Sequence, residues 1–324
     1  MGTRLDRMLW SKLHANTLGE FSPSKFKAAL DAGADPWVSY EDATGRAVSL
    51  LEGLCRADTA DRERMLSLWI DRVVDPDASP SKVPALHCLP VACSLKAIDL
   101  LVSAGASVSV LNKEGHTPLE CFIGRIHQEG SDNWKGAFLL GSHSKENLST
   151  LNLVDENGSR LEFLKLFFGD KGKAYQNDED VDFVLSHGDW DLDWKSSSTG
   201  SWVLGMLSAQ LNDCHDPSAW TRAGLDWSGL CPSGMSLLHH ILMAPGKYDQ
   251  YGNMLLPVNT LCEALAQGAD FDDEGALGWT PRQRINAVSW SNSSELGKLT
   301  SGLKASRLDK TTAPAHRNAS ARRI

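Results

Sequence analysis

The residues best suited to chemistry are His87-Cys88, Cys93, Cys214-His215 and His239-His240, whose side chains can bind a metal or act as base and nucleophile. Four-coordinate zinc sites are usually built from Cys-x-x-Cys or His-x-x-x-His pairs that bring two ligands onto one turn, and none of these groups has that spacing. Ser-x-x-Lys occurs at Ser22 to Lys25 and at Ser142 to Lys145. It stands without the companion motifs of a hydrolase. A Gly-x-Ser-x-Gly elbow, a phosphate-cradling glycine loop and a metalloprotease helix are also missing. The expectation is therefore no catalytic residue, no metal and no cofactor.

Two acidic stretches, Asp178-Glu179-Asp180 and Asp270 to Glu274, lack the alternating ligands and central glycine of a calcium loop. Asp272, Asp273 and Glu274 instead make a candidate loop tip for a basic partner. Eleven tryptophans are the unusual feature of the composition. Trp and Tyr, with Arg, dominate interface energetics. Trp37, Trp190, Trp194, Trp227, Tyr248 and Tyr251 join the acidic tip as partner-binding candidates, and at least one of Trp37, Trp190 and Trp202 is expected to be exposed.

The elements that must position these residues come from a soluble-type composition. Hydrophobic residues at 42% and charged residues at 23% fit a folded chain and exclude a disordered or fibrous one. A net charge of −9 argues against nucleic acid, whose binders gain affinity by neutralising phosphates. Charged residues interrupt the stretch from Met1 to Phe21, which therefore lacks the apolar core of a signal peptide, and no later run reaches the roughly 20 apolar residues of a membrane span. Seven scattered cysteines suggest reduced thiols and a cytoplasmic setting.

One phrase recurs along the chain. Ala97 to Val108 is an apolar helical pattern stopped by Gly105, and Gly115-His116-Thr117-Pro118-Leu119-Glu120 opens the next helix. The same order returns at Leu261 to Phe271, followed by Gly278-Trp279-Thr280-Pro281, and at Phe26 to Asp35, followed by Gly45. Asp191-Leu192-Asp193-Trp194 and Gly224-Leu225-Asp226-Trp227 lie 33 residues apart. Glycines 45, 115, 158, 200, 234 and 278 mark the loop-to-helix junctions of about seven units.

With these motifs the chain resembles the ankyrin repeat family over roughly residues 20 to 290, most specifically at Leu100 to Glu120 and Leu261 to Pro281. Pro84-Ala85-Leu86-His87 stands where the family has Thr-Pro-Leu-His. The family histidine survives as His87 and His239, with Glu120 and Arg282 in its place elsewhere. The resemblance implies an all-α, ankyrin-type helical solenoid of about seven degenerate repeats with short hairpin-like fingers, spanning residues 1–297. Trp194, Trp227 and Phe271 fall at its semi-buried apolar position, so packing competes with partner binding for the two tryptophans. Irregular insertions are expected near 123–150, as an extended loop between helices, and at 244–254, which carries Tyr248 and Tyr251.

Residues 298–324 read as a basic, disordered tail of charge +6, leaving −15 on the repeats. The implied function is a protein–protein interaction module that binds a specific, basic partner, in the manner of an inhibitor, an effector or a toxin-neutralising protein. Two alternatives stand beside it: an enzyme with a site hidden in the irregular 130–180 region, and a scaffold subunit of a larger assembly.

Overall fold

The computed structural model describes residues 22–304, apart from 42–46, 56–59, 80–82, 132, 155–159, 169–177, 196–199, 215, 245–254, 288–296 and 298. It is mostly helical and divides into two compact units, residues 1–163 and 164–324. Among the described residues no helix is long and apolar enough to cross a membrane.

The first unit contains α1 (Pro23–Asp31), the hairpin β1 (Ser39–Glu41) and β2 (Ala47–Ser49), α2 (Leu50–Cys55), α3 (Ala60–Arg72), a 3-10 turn (Ala85–Cys88), α4 (Leu95–Ser103), α5 (Pro118–Glu129) and α6 (Trp134–Ser144). A second hairpin, β3 (Leu153–Val154) and β4 (Arg160–Leu161), follows, and both hairpins are antiparallel. The helices form two rows. In one row α1 packs on α3, α3 on α4 and α4 on α6; in the other the 3-10 turn touches both α2 and α5. Each helix buries a stripe at helical spacing, such as Phe26, Ala29 and Leu30 of α1 or Ala97, Ile98 and Leu101 of α4. Burying one such Leu or Ile contributes about 2 kcal/mol, and no helix could bury its stripe alone.

The second unit repeats this plan with α7 (Phe163–Phe168, which begins at the boundary), α8 (Asp178–Ser186), α9 (Gly200–Asp213), α10 (Ser218–Arg222), α11 (Leu237–Met243), α12 (Val258–Ala266) and α13 (Pro281–Ala287). One row runs α9, α11, α13, and α8 packs on α10 beside it. Polar side chains bond helix to helix. Thr260, fully buried, donates to Leu211 O at 2.6 Å, and Asn212 Nδ2 donates to Ile241 O at 3.1 Å.

Helix ends follow the local sequence. Gly33, Gly105, Gly224 and Gly268 all have positive φ, each two residues past a helix. In each the glycine N–H and the next N–H bond back three and five residues, as in Gly105 to Val102 O and Ala106 to Leu101 O. This is the left-handed glycine stop, with a buried residue following it at Ala34, Ala106, Leu225 and Ala269. At the other end Ser22 and Ser94 cap α1 and α4, and Thr117 with Glu120 forms a capping box on α5. The Ser-x-x-Lys serines are thereby accounted for, Ser22 as a cap and Ser142 as a donor to Leu139 O.

Several expectations change. The added length near 123–150 is helix, since α5 and α6 are joined by residues 130–133 alone and the expected extended loop is not there. Helix also continues beyond the proposed start of the tail, with Leu299 and Leu303 buried one turn apart and residues 299–304 helical. The tail from 305 onward lies outside the described residues. Of the marker glycines, Gly115, Gly234 and Gly278 sit in loops with positive φ and Gly200 opens α9, whereas Gly45 and Gly158 lie outside the described residues.

Candidate functional site

The fourth residue of the Thr-Pro-Leu-His phrase organises each junction. His239 accepts on Nδ1 from the Ser236 N–H at 3.2 Å, and its Nε2 reaches Trp279 O at 3.1 Å. Those two partners assign the proton to Nε2. Glu120 accepts from Thr117 N–H at 2.8 Å and, with its other oxygen, from Asn152 N–H. Gln283 accepts from Thr280 N–H at 2.8 Å and its own N–H donates to Thr280 Oγ1. Gln283, not Arg282, is therefore the counterpart of Glu120 and His239, three residues after the hydroxyl cap. His87 bonds Val110 O at 2.9 Å, yet its Nδ1 is buried without a partner. The cap residue there is Pro84, which has no N–H to give.

Fingers are linked to their neighbours in a similar way. Asp77 accepts from Ala85 N–H at 3.1 Å and from Ser107 N–H at 2.7 Å, joining two successive fingers of the first unit. In the second, Trp194 Nε1 donates to Asp226 O at 2.7 Å across to the next finger, whereas Trp227 Nε1 donates locally, to Thr221 Oγ1 of α10 at 2.9 Å. Trp194 and Trp227 are 1% and 3% exposed, with Phe271 at 2%. All three pack the core, and the two tryptophans are withdrawn as partner-binding candidates.

The remaining candidates separate further. Trp37 is half-buried, edge-on to Trp69 at 5.0 Å, and Trp190 and Trp202 are also half-buried, so the expected exposed tryptophan is not among these three. Tyr248 and Tyr251 lie outside the described residues. The acidic tip is less open than its sequence implied. Asp272 is held by both carboxylate oxygens on Arg282, at 2.6 and 3.0 Å, and Asp273 accepts from Gly275 N–H at 2.9 Å. Glu274 is exposed.

Trp190 does line a cleft. This concavity of about 640 Å³ in the second unit is bordered by Asp182, Ser186, Gly188, Asp189, Trp190, Asp191 and Arg222. The indole lies across Gly188 and donates to Val184 O at 2.9 Å. A Cβ at Gly188 would stand 2.4 Å from the ring, so only glycine allows this placement. Arg222 pairs with Asp182 at 2.6 Å and Asp216 at 3.6 Å. Among the described residues three carboxylates and one guanidinium border the cleft. A smaller cleft of about 260 Å³ in the first unit is lined by His116, Glu120, Cys121, Arg125, Gln128 and Asn152. It is more balanced in charge, and Arg125 donates both guanidinium ends to the carbonyls of His87 and Leu89.

Sequence reasoning missed the apolar finger tips. Leu111 and Leu230 are 58% and 44% exposed, and each immediately precedes a matching turn, Asn112–His116 in the first unit and Cys231–Met235 in the second. Their signal was available: both stand three residues before a positive-φ glycine's neighbour in the marker phrase, where a loop has no core to fill. No group of three or more His, Cys, Asp or Glu able to hold a metal occurs among the described residues. No family model matches the chain, and no curated protein matches its sequence.

Proposed function

We propose that the chain is an ankyrin-type repeat protein that binds a basic partner protein, with the Asp182–Asp189–Trp190–Asp191 cleft of the second unit as its principal contact. The observation that carries this reading is the cleft itself, where an indole wall stands among three carboxylates. A lysine or arginine side chain fits such a site, its stem against the ring and its charge among the carboxylates. Exposed Leu230 on a finger of the same unit supplies an apolar contact of the kind interfaces use.

The repeat assignment is supported by four matching glycine stops and by the fourth-position residues that tie one cap to the following finger. The proposal includes a reducing, cytoplasmic setting, which the seven free thiols favour. Whether binding inhibits or neutralises the partner follows from the partner's own activity when bound.

The test is a partner recovered by native pull-down, then measured against purified variants by calorimetry over a salt series. Asp189→Asn with Asp191→Asn should weaken binding about tenfold and flatten its salt dependence. Trp190→Ala should weaken it at every salt concentration. Affinity untouched by both changes would overturn the assignment of this cleft.

A further inference from the structure

The two matching finger turns share their backbone bonds and their glycine but open on different side chains. In the first unit Asn112 N–H donates to His116 O at 2.9 Å, Gly115 N–H returns to Asn112 O at 3.1 Å, and Asn112 Oδ1 accepts from the N–H groups of Glu114 and His116 at 3.0 and 2.9 Å. In the second, Cys231 N–H donates to Met235 O at 2.9 Å and Gly234 N–H returns to Cys231 O at 2.8 Å. Here Cys231 stands in the place of Asn112 and puts a thiol at the turn. Ser233 Oγ lies 2.8 Å from the sulfur, and Nε2 of His240, from the following helix α11, lies 3.7 Å away.

We propose that Cys231 and His240 form a thiol–imidazole pair that reacts with hydroperoxides, making Cys231 a site of reversible oxidation to the sulfenic acid. A hydroxyl at 2.8 Å can donate to the sulfur and an imidazole at 3.7 Å can take its proton, and both favour the thiolate over the thiol. His240 Nε2 takes the thiol proton. The sulfur lone pair then attacks the near peroxide oxygen, forming the S–O bond as the O–O bond breaks. The departing hydroxide takes the proton back from the imidazolium and leaves as water. The thiol is oxidised and the peroxide reduced, so hydrogen peroxide is the one co-reactant required.

The rest of the chain provides internal comparators. Burial pushes the thiols of Cys55, Cys88, Cys93, Cys121 and Cys214 above their ordinary range, Cys93 and Cys214 to about 12. At Cys231 desolvation also acts upward, but the Ser233 hydroxyl and the backbone donors of Met235 and Ser233 outweigh it and leave the thiol below its usual value. Desolvation, then the neighbouring His239, keeps the His240 imidazole below its ordinary value, so at pH 7 it is the neutral base the step needs. Cys231 itself is 7% exposed, flanked by exposed Leu230, Pro232 and Ser233.

The experiment uses the full, reduced chain, hydrogen peroxide below one equivalent, a dimedone trap and peptide mass spectrometry, with circular dichroism of every variant. The sulfenic adduct should form at Cys231 at least about tenfold faster than at any other thiol. His240→Gln should slow it by about tenfold or more while leaving the other cysteines unchanged, and Cys231→Ser should abolish it. Ser233→Ala, on the exposed side of the turn, should slow it as well and serves if His240→Gln does not fold. Oxidation of Cys231 no faster than of half-buried Cys88, Cys121 and Cys262, or a rate indifferent to both variants, would overturn the pair.

Discussion

Glu120 in the first unit and His239 in the second stand at the same place, three residues after a hydroxyl cap, and both reach forward to the backbone of the following finger. Their partners differ. Glu120 meets an N–H, that of Asn152, whereas His239 meets a carbonyl, that of Trp279. A carboxylate can only accept, so it serves the first junction, while an imidazole that accepts on one nitrogen and donates from the other serves the second. At these two junctions the residue after the cap matches the backbone group it meets. His87 shows the mismatch that remains when the cap is a proline, with Nδ1 unpaired.

Exchanging the two residues should break this correspondence. His239→Glu would place a carboxylate against Trp279 O at a position with no solvent exposure, and should cost about 3–5 kcal/mol in urea-induced unfolding. His239→Gln, which can accept and donate, should recover most of the loss. Equal stability for the two variants would show that the carbonyl does not select the residue.

At the first junction Glu120→Ala strands the N–H groups of Thr117 and Asn152, and should cost about 1–3 kcal/mol in the same assay. Glu120→Gln keeps both acceptor contacts with one oxygen at most and should fall between. The glycine stops predict likeness where the caps predict difference. Gly105→Ala and Gly268→Ala place a methyl where nothing lies within 4 Å, so the cost is left-handed backbone alone, about 1–2 kcal/mol and equal in the two units by thermal denaturation.

Acid should separate the units most finely. Desolvation raises the Glu146 carboxyl, with the Thr117 hydroxyl opposing and Glu120 adding to it. A raised folded value contributes stability below the unfolded value of about 4.3 that is lost as pH rises through it, so Glu146→Gln should stabilise at pH 7 and do nothing at pH 3. Asp226 has the opposite sign, its carboxyl lowered to about 2 by Lys195 and then by Ser228. Its contribution is present above about 3.9 and is lost as pH falls toward 2, so Asp226→Asn should destabilise at pH 7 and converge with the parent in acid. Both effects are a few tenths of a kcal/mol, since Asp226 is half exposed and solvent screens it. Urea melts at pH 3 and 7 check them, and slopes of the same sign would refute the contrast.

Much of the fold was legible. The stops at Gly33, Gly105 and Gly268 and the cap at Thr117-Pro118 depend on contacts a few residues away, and such contacts are written in consecutive letters. Residues 299–304 were not legible as helix because Leu299 and Leu303 are embedded in Ser, Thr and Lys and only two apolar positions mark the buried face. The expected loop near 123–150 gives way for a related reason: Gly130 ends α5 in the left-handed conformation and four residues suffice to reach α6, so glycine there marks a helix stop and not a long loop.

At the candidate site the division is sharper. Sequence alone determined the mostly helical class, several helix ends, the acidic balance and the lack of familiar catalytic motifs, all properties of composition or of near neighbours. Tertiary structure decided what each side chain is free to do. Trp194 and Trp190 stand four residues apart, yet one is closed in the core by a bond to Asp226 and the other walls a cleft made by α8 and α10. Asp272 reads as an open acid until Arg282 is found holding it, and Cys231 reads as one thiol among seven until the His240 ring is found beside it. Such outcomes depend on burial and on partners from other turns and helices, and these come together only once the helices pack.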